Sequence, residues 1–299
     1  MYEQDVLTVA VVNFKPDAGK KENNLQRMKG IATAASKQGA DLILFPEMCL
    51  MGYDYFIHED IAMEDKKKVA EPVDGPSCQA MAEISMQYGT YIVYGAAEYD
   101  KDRDCLFNSA FVTGPEGIIG AYRKIHPFDT ENTWCEKGDS PFMIDTRWGP
   151  IGLGICYDSY QFPELIRYYV HKGARLYLNP TAELLEVNKP GCQKSFRQYY
   201  STLDYAVICN SIFLASANLV GYDMETYFAG GSCILGPKTT PFFENDVYCY
   251  GGDRDNGQQT ISYATIDLSL ADRSLWKTNP AAGEMDFRPD IYKKLLEDM

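Results

Sequence analysis

The chain has only three histidines and three tryptophans among 299 residues, and its nine cysteines include no C-x-x-C pair. An odd number of cysteines at irregular spacing fits neither a disulfide framework nor a zinc site. Reduced thiols in a cytoplasmic protein are therefore expected, with no metal or other cofactor. Basic residues are scarce as well: 28 Lys and Arg stand against 42 Asp and Glu, a formal charge of −14. That balance argues against nucleic acid and anionic membranes as partners, because phosphates are held by basic patches. The one basic run, Lys66-Lys67-Lys68, follows acidic residues and reads as a solvated face. Long apolar runs are missing too. The most apolar stretch, Tyr205 to Val220, is broken by Asn210, Ser211, Ser216 and Asn218 and does not qualify as a membrane span. The opening residues, Met1 to Asp5, carry acids where a signal peptide would be basic.

What is present alternates between strand and helix. Val6 to Asn13 reads as a buried strand. Asn23 to Lys37 places Leu25, Met28, Ile31, Ala32 and Ala35 at helical spacing, and Asp41 to Phe45 returns to strand, which completes a βαβ unit. Ser77 to Tyr88 repeats the helical pattern with Ser77 as its N-cap, and Tyr91 to Tyr99 is another strand. Gly114-Pro115-Glu116-Gly117 is a turn signal that joins 109–113 and 118–123 as an antiparallel hairpin. A second βαβ unit follows: strand 151–156, helix 162–172 closed by Gly173, strand 175–178. A helix from Gln193 to Val207 and strands at 212–217, 232–235 and 259–267 complete the body. The pattern predicts an α/β fold with two mixed sheets covered by outer helices, a four-layer αββα sandwich. One domain is expected over 1–270, with 271–299 as a polar C-terminal tail.

Three ionisable residues each follow an apolar, β-branched run: Glu47 in Phe45-Pro46-Glu47-Met48, Lys124 in Tyr122-Arg123-Lys124-Ile125-His126, and Cys156 in Gly154-Ile155-Cys156-Tyr157-Asp158. Brought to one rim they supply a base, an oxyanion partner and a nucleophile, enough for covalent acyl transfer without metal or histidine. Taken singly, each has a plain structural reading as a buried thiol, a surface acid or an exposed lysine; three at three strand ends do not. The glycine-rich run before Cys156 implies a sharp strand-to-helix turn, where a helix N-terminus would stabilise thiolate and the Tyr157 N–H would face a forming oxyanion. Histidine is the alternative base, with His126 the member nearest Lys124, but no third orienting group presents itself. Tyr53, Phe128, Trp134, Tyr157 and Tyr160 suggest a partly apolar substrate pocket. Asn179 and Thr181 line it at the end of the strand after the Cys helix, and Arg197 faces it.

With these motifs in hand, the chain closely resembles the nitrilase superfamily of carbon–nitrogen hydrolases over nearly its whole length. The resemblance extends to Phe162-Pro163-Glu164, to Phe228-Ala229-Gly230-Gly231-Ser232 and to Arg288-Pro289-Asp290-Ile291-Tyr292 in the tail. It implies an αββα sandwich that dimerises, often with C-terminal tails crossing between subunits. It also implies that Glu47 is the general base, Cys156 the nucleophile, and Lys124 with the Tyr157 N–H the oxyanion donors. Members often carry a second glutamate ahead of a Gly-Asp pair; Glu131, before Gly138-Asp139, is the candidate and Glu136 the runner-up. Relatives acting on ω-amides of dicarboxylates usually show Cys-Tyr-Asp-Met-Arg-Phe-Pro-Glu. The segment from Cys156 to Glu164 is one residue longer and lacks that arginine, so acids of this kind are expected to be poor substrates. Tyr157-Asp158 in place of the Trp-Glu usual in nitrilases favours amides or N-carbamoyl compounds. The expected activity is hydrolysis of a small linear amide or carbamoyl substrate. Nitrile hydrolysis or acyl transfer to an amine is the alternative within enzymes, and a silent protein-binding scaffold the alternative outside them.

Overall fold

The computed structural model describes residues 4–184, 193–238, 245–251 and 258–298, with the side chains of 193–198 excepted. Cys192 and the side chain of Arg197 therefore lie outside what is described. The chain opens with β1 (Val6–Asn13), α1 (Lys21–Lys37), β2 (Leu42–Leu44), α2 (Asp54–Ile57), α3 (Met63–Val69) and α4 (Pro76–Tyr88). Next come β3 (Tyr91–Asp100), β4 (Cys105–Gly114), β5 (Gly117–Arg123), β6 (Phe142–Ile144), β7 (Ile151–Leu153), α5 (Tyr157–Gln161) and α6 (Pro163–His171). The last part holds β8 (Leu176–Thr181), α7 (Gln193–Asn210), β9 (Phe213–Asn218), β10 (Val220–Asp223), β11 (Thr226–Ala229), β12 (Cys233–Pro237), β13 (Asn245–Tyr250), β14 (Thr260–Asp267) and α8 (Pro289–Glu297).

Two six-stranded mixed sheets result, ordered β14-β1-β2-β3-β4-β5 and β13-β12-β9-β8-β7-β6, with β10 and β11 forming a separate hairpin. The alternation along β1 shows how they stack. Val9 and Val11 join Leu42, Leu44, Val93 and Val112 against Ile151, Leu153, Leu176, Leu178 and Phe213 of the other sheet. Ala10 and Val12 turn the other way and pack with Met28, Ala32 and Ala35 of α1 and Met81 of α4. Because both faces of such a strand are covered, it reads as a continuous apolar run. Tyr169 and Val170 of α6 and Leu203 and Val207 of α7 cover the outer face of the second sheet. The architecture is the αββα sandwich.

Local details differ from the sequence reading where a few polar atoms decide. The N-cap of α4 is Gly75 with Pro76 behind it, not Ser77. Glu71 does the capping: its carboxylate accepts the Ser77 N–H at 3.0 Å and the Ser77 hydroxyl at 3.0 Å. Strand β7 ends at Leu153, and the residues after it form the separate turn that presents Cys156. The tail contains a helix, α8, whose Leu295 and Leu296 stay exposed.

Candidate active site

Glu47 is delivered by the end of β2. Proline 46 has no N–H to continue the ladder, and the chain turns sharply through Met48, a non-glycine residue at φ 52°. Gly95 of β3 lies directly against this turn: a Cβ there would collide with the backbone of Glu47 and Met48. The Glu47 carboxylate is fully buried. Its Oε1 accepts Nδ2 of Asn108 at 2.7 Å and Nζ of Lys124 at 2.7 Å, and its Oε2 accepts the N–H of Ala182 at 2.8 Å. Burial pushes its carboxyl above the ordinary range, against the pull of Lys124 and with the help of neighbouring Glu131.

Lys124 follows β5 and is buried without exposure. Its Nζ donates to Glu47 and, at 2.9 Å, to Oε1 of Glu131. Burial alone would strip its proton, but the two carboxylates outweigh it and hold the ammonium charged. Glu131 lies in a short 3₁₀ turn, Asp129–Thr133, and also accepts the Tyr53 hydroxyl at 2.7 Å, the Phe128 N–H at 3.1 Å and Asn108 Nδ2 at 3.3 Å. Two carboxylates and one ammonium leave this buried cluster one negative charge, met by neutral donors. Glu136 is elsewhere, half-exposed and paired with Arg103.

Cys156 stands at the N-terminus of α5 with φ 49° and ψ −102°, a conformation few non-glycine residues adopt. Its N–H is fixed by the Pro180 carbonyl at 3.1 Å and Oδ1 of Asn179 at 3.0 Å. The same Oδ1 accepts the Ser159 hydroxyl, while Nδ2 of Asn179 donates to Tyr160 and Ser216. Thr181 and Tyr160 share a 2.8 Å bond between their hydroxyls. The thiol does not rest as the expected thiolate. Burial raises its pKa well above the usual value, Glu47 and Glu183 raise it further, and Lys124 and the Thr181 hydroxyl only partly oppose them.

The remaining residues named from the sequence are placed as follows. Tyr53 is buried and spends its hydroxyl on Glu131; Trp134 is buried against Phe56, ring centroids 4.8 Å apart. Phe128 is partly exposed and meets Tyr157 edge to face at 5.1 Å. His126 stacks on Phe162 at 3.5 Å and sets Nδ1 2.8 Å from Oδ1 of Asp158, away from the acid cluster.

Two residues escaped the sequence reading. Asn108 links both glutamates. Asp158, fully buried, ties the lysine segment to the cysteine turn: it accepts the Tyr122 hydroxyl at 2.8 Å, the Ile155 N–H at 3.1 Å and the His126 N–H at 3.0 Å. The signal for each was a polar residue inside an apolar context, Leu106-Phe107-Asn108 and Cys156-Tyr157-Asp158. Among the described residues, no group of three or more His, Cys, Asp or Glu side chains could hold a metal ion, and no helix is long and apolar enough to cross a membrane.

The carbon-nitrogen hydrolase family model matches residues 8–274. A nitrilase of Pyrococcus abyssi is 33% identical over 266 residues, which cover 89% of this chain and 91% of that protein. An omega-amidase of Bos taurus is 29% identical, covering 83% of this chain and 84% of its own. Among solved structures, a variant of the amidase from Nesterenkonia sp. AN1 superposes with a TM-score of 0.73 at 19% identity, covering 99% of each chain. Nit3 of Saccharomyces cerevisiae gives 0.75 at 21%, covering 90% of this chain and 92% of that one, and these two likenesses bear on the fold. With the fold, the buried Glu-Lys cluster and the strained cysteine turn already in view, the chain belongs to the carbon-nitrogen hydrolase family of the nitrilase superfamily.

Proposed function

We propose that the protein hydrolyses the C–N bond of a small linear amide or N-carbamoyl compound through a thioester on Cys156. The observation that carries this reading is the buried cluster of Glu47, Lys124 and Glu131, from which Glu47 and Lys124 act electrostatically on a Cys156 thiol held at a helix start. The resting thiol needs a base, and Glu47, its own proton affinity raised by burial, is matched to that task. As sulfur attacks the carbonyl carbon, Glu47 takes its proton and the carbonyl oxygen becomes an oxyanion. Lys124 has three N–H donors; two are engaged by Glu47 and Glu131, and the third serves the oxyanion together with the Tyr157 N–H. The site keeps its single net negative charge throughout, since the charge moves from carboxylate to oxyanion. Glu47 then protonates the departing nitrogen, the C–N bond breaks, and ammonia or an amine leaves. Water attacks the thioester, gives its proton to Glu47, and the acid departs with the thiol restored.

Nitrile hydrolysis is the second reading, favoured by the 33% identity to a protein named a nitrilase. Ammonia release from a panel of linear amides, N-carbamoyl amino acids and nitriles separates the two; carbamoyl substrates additionally yield carbon dioxide. Turnover of nitriles alone would overturn the first reading. Without an arginine between Cys156 and Glu164, ω-amides of dicarboxylates are expected to be turned over poorly, and efficient hydrolysis of α-ketoglutaramate would contradict that. The same reading makes the protein a cytoplasmic homodimer or higher homo-oligomer. Ile291, Leu295 and Leu296, exposed on α8, suit a tail that crosses to a partner subunit.

A further inference from the structure

We propose that Asn108 is a positioning residue that sets the strength of the catalytic base, because its one amide group donates to both buried glutamates at once. The proposal rests on the reading of Glu47 as the base for Cys156.

The geometry is specific. Nδ2 of Asn108 lies 2.7 Å from Oε1 of Glu47 and 3.3 Å from Oε2 of Glu131, and the Asn108 carbonyl oxygen accepts the Lys124 N–H at 2.8 Å. Its side chain therefore reaches both carboxylates, and its backbone fixes the Lys124 backbone beside them. Asn108 is buried without exposure, yet its side-chain Oδ1 has no hydrogen-bond partner. A buried orphan acceptor is costly and calls for an explanation. Turning the amide over would set Oδ1 against two carboxylate oxygens, so the acids hold the amide this way round and its oxygen goes unsatisfied. Register reinforces the arrangement: Asn108 pairs with Ala97 across β3 and β4, while its neighbour Ser109 points to the other face and meets Glu98 at 2.7 Å. Glu98 and Arg123 therefore pair with each other away from the cluster. Among the described residues, the ionisable groups that face Glu47 are Lys124, Glu131 and Cys156, with Tyr53 behind Glu131, Cys135 just past the 3₁₀ turn, and Glu183 acting on Cys156.

A neutral donor placed here does what a second lysine would overdo. Hydrogen bonds to a carboxylate favour its charged form. Lys124 is the one cation set between the two acids among the described residues, and Asn108 joins the Ala182 N–H, the Tyr53 hydroxyl and the Phe128 N–H in favouring the charged carboxylates without adding charge, opposing the rise that burial imposes on Glu47. Removing the amide should therefore make Glu47 bind its proton more tightly, and base-assisted chemistry at Cys156 should need a higher pH.

The test follows alkylation of Cys156 by iodoacetamide across pH, by peptide mapping of the intact chain, in wild type, Asn108→Leu, Asn108→Ser and Glu47→Gln. Leu keeps the volume and Ser the polarity, so one folded variant suffices; melting curves identify it. Wild-type Cys156 is expected to react faster than the other thiols, with an inflection that Glu47→Gln removes. In the Asn108 variants the inflection should move up by roughly one pH unit, the scale of one hydrogen bond to a charged group, with the rate below it falling about tenfold. A folded Asn108 variant with the wild-type inflection overturns the proposal and leaves the base assignment standing. A Cys156 no faster than the other thiols, or an inflection that survives Glu47→Gln, overturns the base assignment and this proposal with it.

Discussion

Glu47 and Glu131 share a buried lysine, whereas Asp54, a few residues along from Glu47, and Asp223, on the β10–β11 hairpin, are held by backbone amides. Asp223 Oδ2 accepts the N–H groups of Tyr53 and Asp54 at 2.6 and 2.9 Å, and Asp54 Oδ2 accepts those of Glu225 and Thr226 at 2.9 and 2.8 Å. Each aspartate keeps its other oxygen buried without a hydrogen bond among the described residues. Burial pushes the Asp223 carboxyl up to about 6, with the amides opposing and Asp54 adding to the rise. In the proposed mechanism, a cation makes the pair of buried acids a poised proton carrier. Amides alone make a latch, here fastening the β10–β11 hairpin to the segment of Tyr53. Tyr53 joins the two sites, its N–H on Asp223 and its hydroxyl on Glu131.

The comparison breaks most completely at Lys124. Lys124→Met should leave two carboxylates buried without their cation, costing about 3–5 kcal/mol of stability and lowering the melting temperature by roughly 10 °C. Turnover of the best amide in the panel should fall at least about 10³-fold, and a variant that melts and works like wild type would dissolve the contrast.

Asp223→Asn sharpens it from the other side. The sign follows from the direction of the shift. A carboxyl whose folded-state pKa is raised contributes stability that is full below its unfolded value, near 4, and lost as pH rises through about 6. Wild type should therefore lose roughly 2–3 kcal/mol from this group between pH 4 and 7. Asparagine can accept the same two amides and cannot ionise, so Asp223→Asn should flatten that part of the stability curve, as urea unfolding at several pH values would show.

Tyr53→Phe is the mildest cut. Removing one hydroxyl from Glu131 should lower kcat about tenfold while leaving KM and the pH dependence of unfolding near wild type, a split that steady-state kinetics and melting would register.

Much of this was legible in the amino-acid order, for physical reasons that also mark where legibility ended. Val6 to Asn13, buried on both faces from Val9 onward, reads as strand to the residue. The hairpin at 114–117 carries its turn chemistry locally. Glu47, Lys124 and Cys156 stand out because each interrupts an apolar run at a strand end. The short or half-exposed strands β6, β10, β11 and β13 gave no clear period, since three to six residues with one wet face carry little pattern. Helix α8 was hidden in a polar tail, although Ile291, Leu295 and Leu296 recur at helical spacing. Asn108 and Asp158 matter through partners 61 and 36 residues away in sequence, a relation no local window contains. The expectation of a thiolate failed because the helix-end effect is local and modest, while desolvation of the sulfur depended on packing that only the assembled sandwich supplies.

The central claim is a transient ester on one sulfur atom. Acid-quenched protein, sampled during turnover of the best amide in the panel and weighed intact, should carry one added acyl group that maps to Cys156, and Cys156→Ala should carry none and release no ammonia. Ammonia release by Cys156→Ala at a rate near that of wild type would contradict the account.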